Sequence, residues 1–180
     1  GKSEVMKPLV KGFIIAAVHV GLVTSLGAKL LYDRSTRPRV WALTAPYDPS
    51  LPIRGRYVSL QLVVEPRGVA DPKPRPSFVP PQAVILRVER EKLLAEATPQ
   101  QPGYDPSELH VQLVERRGEK LAILVQPVAF FIPEHVPDPS RRPAGEELWA
   151  EVTIPKKGPP RPIRLGVKKG DGAIAPLDLN

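Results

Sequence analysis

The chain contains no cysteine, which rules out disulfides, thiolate-bound metals and a thiol nucleophile while leaving the redox compartment open. Histidine is nearly as scarce. His19, His110 and His135 stand apart, with no HExxH and no histidine pair on one helix face, so no dedicated zinc site is expected. A P-loop, a GxGxxG turn and a GxSxG elbow are also missing, and those words carry phosphate binding, dinucleotide binding and serine catalysis at fixed spacings. Glu134-His135 follows a proline and reads as surface loop. No catalytic residue, metal ligand or cofactor is therefore assigned, and the expected class is a non-enzyme.

Methionine and asparagine occur once each, against 24 prolines among 180 residues. That set is expected where loops are stiffened and heat-labile residues avoided, so it points to a thermophilic source, although a biased genome produces the same list. The net charge of +7 would ordinarily suggest nucleic acid. Its distribution argues otherwise. Residues 1–40 carry seven Lys/Arg against two acids, whereas residues 41–180 carry 19 against 17. Most of the basicity thus flanks one apolar segment, and no nucleic-acid partner is expected.

That segment, GFIIAAVHVGLVTSLGAKLL, runs for 20 residues from Gly12 to Leu31, with His19 and Lys29 its only ionisable members. Twenty residues at 1.5 Å each match the roughly 30 Å hydrocarbon core of a bilayer. Lys29 can snorkel at one end, Lys7 and Lys11 lie at the other, and Tyr32 and Trp41 follow as interfacial aromatics. The reading is a tail over 1–11, a transmembrane helix over 12–32, a Pro-rich linker over 33–52 and an exported β-rich domain over 53–180. A cleavable signal peptide is the competing reading, since Ser25-Leu26-Gly27 offers small residues after a basic start. Lysines and arginines on both sides of the helix leave orientation undecided by charge. Signal-anchor insertion, with the C-terminal domain in the periplasm of a bacterium and the helix in its inner membrane, is the simplest topology.

At 100° per residue, Ala17, Gly21, Thr24, Ser25 and Ala28 fall within an arc of about 100°, a small-residue face on which another membrane helix can pack closely. The expected partners are the lipid bilayer and an integral membrane protein subunit. His19 points to the opposite side, where its imidazole needs a polar contact or a metal such as that of a haem or chlorophyll.

Beyond the linker, alternation of period two marks strands in GRYVSLQL (55–62), AVILRVER (83–90), LHVQLVER (109–116), KLAILVQPVAFFI (120–132), ELWAEVTI (147–154) and RPIRLGVKK (161–169). A short last strand is expected in AIAPLDL. Pro127 should split the longest run, and Arg117-Gly118-Glu119 should form a tight hairpin. REKLLAEA, residues 90–97, is the single helical candidate outside the membrane. The fold class is mainly β: one N-terminal transmembrane helix and an antiparallel, sandwich or meander-like domain. Val58, Leu60, Leu62, Leu121, Ile123, Val152, Ile154 and Leu165 are expected inside.

Several short words share a pattern: Asp48-Pro49, then Ile53-Arg54-Gly55-Arg56-Tyr57 with Leu60, then Phe131-Ile132-Pro133-Glu134, then a strand pair around Gly170-Asp171-Gly172. Together they resemble the membrane-anchored bacterial family named for a GDYxxLxY motif, with Gly55, Tyr57, Leu60, Phe131, Pro133 and Glu134 as the matching residues. Arg56 stands in place of the motif's Asp, and Leu62 in place of its last Tyr. The resemblance implies a single anchor and an exported β-rich domain, and it transfers no catalytic residue. The expected function is an accessory or structural subunit that caps a membrane complex. The alternative is a tethered sensor or peptide-binding module that uses an open sheet edge or a pocket beneath Trp149.

Overall fold

A computed structural model describes residues 8–45, 57–71, 79–99, 105, 107–116 and 118–179. The chain forms two compact units, Gly1–Arg37 and Pro38–Asn180.

The first unit holds helix α1 (Pro8–Thr36). Proline is suited to its first residue, where the missing N–H costs no helical bond. At its far end the Tyr32 carbonyl accepts bonds from Ser35 Oγ and Thr36 Oγ1, both at 2.9 Å. Arg37 pairs with Asp33 at 2.7 Å. Pro38 then stops the helix, because a residue before proline is driven out of the α region. The stretch Val10–Asp33 is long and apolar enough to cross a membrane. It includes the expected span, 12–32.

The second unit is built from β1 (Arg39–Ala45), β2 (Tyr57–Arg67), β3 (Gln82–Glu89), β4 (Lys92–Ala97), β5 (Leu109–Arg116), β6 (Glu119–Leu124), β7 (Val128–Phe131), β8 (Glu146–Thr153), β9 (Arg161–Lys169) and β10 (Ala175–Pro176). Their order is β10-β9-β8-β1-β2-β4-β3-β5-β6, and β6 returns to pair with β2. Strands β2, β4, β3, β5 and β6 therefore close into a small barrel, while β1, β8, β9 and β10 extend a sheet from β2. Pairing is antiparallel except between β2 and β4, which run parallel over Glu65 to Arg67.

Strand β2 is the seam. Val58, Leu60, Leu62 and Val64 alternate inward, none more than 5% exposed. One of its edges takes β7 and then β6, and its other takes β1 and then β4. As expected, the run 120–132 divides at Pro127. The break is bridged by Gln126, whose Oε1 accepts from the His110 N–H at 3.0 Å and whose Nε2 donates to the Glu108 carbonyl at 2.7 Å. Gly118, at φ 80°, supports the β5–β6 turn.

Three expectations need correction. The stretch 33–52 is not all linker, because residues 39–45 are β1, paired with β8 and β2; flanking prolines hid a strand that tertiary pairing completes. Residues 90–97 are not helical. Arg90 (φ 49°) and Glu91 (φ 62°) form the turn of a β3–β4 hairpin with Glu89 opposite Lys92, the left-handed pair that a tight two-residue hairpin loop requires. In β6 the inward positions are Ala122 and Leu124, both 0% exposed, whereas Leu121 and Ile123 are half-buried. Ala122 lies opposite Val64 on one side and Leu113 on the other, and a narrow barrel interior favours the smaller residue there. Ile154, expected inside, is also only half-buried.

Candidate functional site

On α1, Ala17, Gly21, Thr24, Ser25 and Ala28 are all exposed. A Cβ built on Gly21 meets nothing within 4 Å. The Ser25 hydroxyl donates to the Leu22 carbonyl at 2.9 Å, so this polar group on the face is satisfied by its own helix. His19 Nδ1 lies 2.8 Å from the Ile15 carbonyl. A carbonyl can only accept, so Nδ1 carries a hydrogen and donates it. Nε2, the other ring nitrogen, is the atom left for the contact considered for His19.

In the second unit, residues from two of the sequence words meet. Tyr57 is the cross-strand partner of Phe131, and their rings stand edge to face with centroids 5.5 Å apart. Tyr57 is 52% and Phe131 60% exposed, so this end of β2 shows an aromatic surface. Leu60, three residues further on, faces the other side of the strand and is buried. Pro133 and Glu134 follow in a turn closed by the Val136 N–H on the Pro133 carbonyl at 3.2 Å. Gly55 lies outside the described residues.

Sequence reasoning missed the row across β1, β8 and β9. Trp41, Glu151 and Arg164 are in register, Arg164 pairs with Glu151, and its guanidinium lies 5.4 Å from the Trp41 ring centre. One pleat along, Leu43, Trp149 and Gly166 are in register. The Lys168 ammonium sits 5.7 Å from the Trp149 ring. The buried Trp149 Nε1 has no hydrogen-bond partner among the described residues. The alternation of RVWALTA was the available signal for β1.

A charged lattice covers the barrel's outer face, where Arg67 pairs with Glu89, Arg87 with Glu96 and Lys92 with Glu65. The hydrogen bond from Arg67 holds the Glu89 carboxyl below the usual glutamate range. Asp105 is lowered likewise by its bonds from Ser107. No group of three His, Cys, Asp or Glu side chains comes together among the described residues.

Among the clefts that the described residues of this unit form are two that Trp149 does not line. The smaller, of about 150 Å³, lies between β1, the Leu60 region and Ser140 to Arg142. The larger, of about 1010 Å³, follows β3 from Val84 to Arg87 and is walled by Leu109 and by the Ile154 to Gly158 loop. Compared with protein-family models, curated proteins and solved structures, the chain matches none.

Proposed function

We propose that the chain is a non-catalytic, single-pass membrane subunit. Its helix crosses a bacterial inner membrane and packs through Ala17, Gly21, Thr24, Ser25 and Ala28 on an integral membrane protein, while the β unit caps that assembly on the periplasmic side. One observation carries the reading: the helix is exposed at every residue from Val10 to Tyr32. The 24 residues of Val10–Asp33 give about 36 Å of helix at 1.5 Å each, enough for the roughly 30 Å hydrocarbon core. In sequence only Arg37 and Pro38 separate the helix from β1, three residue steps or about 10 Å of chain at most. A helix anchored in lipid therefore holds the β unit on a very short lead.

The test is purification in mild detergent through a C-terminal tag, with mass spectrometry of the companions. Gly21→Leu should release the partner while leaving membrane insertion intact, because a Cβ at Gly21 meets nothing within 4 Å and the larger side chain fills the close-approach face. A native protein that runs alone, or a Gly21→Leu protein that keeps every companion, would reduce the helix to a tether. Protease added to spheroplasts should remove the β unit, and full protection would reverse the topology.

The cleft beside β3 favours the second reading, a peptide-binding module on a membrane tether.

A further inference from the structure

The β3–β4 hairpin fixes which backbone groups of β3 face outward. Glu89 pairs with Lys92 across a two-residue turn, and the Thr98 N–H donates to the Ala83 carbonyl at 3.1 Å. Odd-numbered residues of β3 thus bond toward β4, and even-numbered ones face the opposite edge. On that edge β5 pairs only as far as Val84 with Leu109. Ser107, the next residue in line but one, turns away and gives its N–H to Asp105 at 2.8 Å. The outward N–H and C=O groups of Leu86 and Val88 therefore have no strand partner among the described residues.

This open edge borders the large cleft. Ile85, 54% exposed, and Ile154 supply apolar surface, and Arg87, Lys156 and Lys157 are the lining cations against one acid, Glu108. Arg87 is already paired with Glu96. Lys156 and Lys157 are exposed and enter no ion pair among the described residues. An unpaired edge, apolar wall and surplus positive charge are the components of strand addition, in which main-chain bonds give affinity and side-chain contacts give selectivity.

We propose that β3 accepts an extended acidic peptide as an added strand, bonded to the backbone of Leu86 and Val88, with its carboxylates toward Lys156 and Lys157. This site does not depend on what the membrane helix packs against. The two are separable by experiment.

The full chain in detergent would be titrated with a pool of fluorescent peptides of about six residues, the usual strand length, alternating glutamate with Val, Ile, Leu or Phe. Binding should protect the Leu86 and Val88 amides from hydrogen exchange. The same pool methylated on alternate backbone nitrogens, in the register that faces β3, should lose binding, since it cannot donate to the edge. Lys156→Glu combined with Lys157→Glu should weaken binding at least about tenfold, a loss of about 1.4 kcal/mol. Both lysines are exposed, so this variant should fold. Val88→Pro, which removes an outward N–H but no β3–β4 bond, should also weaken it. No binding by the pool, unchanged binding by the lysine variant, or no protection at Leu86 and Val88 would overturn the proposal. Protection of those amides without peptide, accompanied by a dimer, would assign the edge to a second copy and overturn it equally.

Discussion

Gly166 is a position where a side chain has no room. A Cβ there would lie 2.7 Å from Ile174 Cγ2, 2.9 Å from Trp41 Cζ3 and 3.0 Å from the Ala175 carbonyl. One of these is backbone and another a tryptophan ring, so a methyl group fits only if neighbouring atoms shift. Gly166→Ala should cost about 1–3 kcal/mol through overpacking, read as a lower denaturation midpoint with altered tryptophan fluorescence; an unchanged midpoint would contradict the packing. Glu89 gives a second residue-scale expectation. Its folded-state value lies below the ordinary 4.5 because Arg67 donates to it. A lowered carboxyl contributes stability above its unfolded value and loses it as pH falls through the folded one. Thermal stability should therefore decline on acidification below about pH 4.5, with Asp105 adding to the decline lower still. Glu89→Gln should flatten the first part of that limb, as should high salt, since the pair is exposed and screened. An identical acid limb in the variant would remove Glu89 from the account.

At the scale of elements, the β3–β4 turn is occupied by two residues poorly suited to it. Arg90 and Glu91 both have positive φ, the geometry that Asn-Gly adopts with least strain. Replacing the pair by Asn-Gly should raise stability by about 1 kcal/mol, measured by denaturant unfolding, and a destabilised product would argue against this turn. The same hairpin shows where the sequence could be read. Alternation found β2 and β3 because each buries one face, and burial on one face imposes a period of two. In β4, Leu93, Leu94 and Ala95 are buried in succession, so no alternation appears and good helix formers suggested a helix. β1 was hidden by the prolines around it. The open edge of β3 depends on where β5 departs, and the Trp41–Glu151–Arg164 row depends on the register of three strands. Both are set by long-range pairing, which leaves no local signal. The membrane helix was legible because length and hydrophobicity are local properties.

At the scale of the whole molecule, the question is what the β unit needs in order to fold. The barrel of β2, β4, β3, β5 and β6 closes on itself, but β2 carries it only along its second half. Its first half belongs to the other sheet, in which β1 is the connection: residues 39–43 pair with β8, and Thr44 and Ala45 pair with β2. Val40, Ala42 and Thr44 are all buried, and the Thr44 hydroxyl donates to the Leu148 carbonyl at 2.8 Å. Removing β1 would leave β8 and β2 with unpaired edges and expose the core between them, a loss larger than the small margin by which domains of this size are stable. A chain beginning at Pro38, where the second compact unit starts, should therefore be soluble, show a β-type circular dichroism spectrum and unfold in one cooperative transition. A chain beginning at Ile53, the boundary suggested by the proline-rich sequence, should aggregate or unfold without a transition. If the Ile53 chain proved as stable as the Pro38 chain, β1 would be peripheral and the two sheets would have to be held together by β2 and β7 alone.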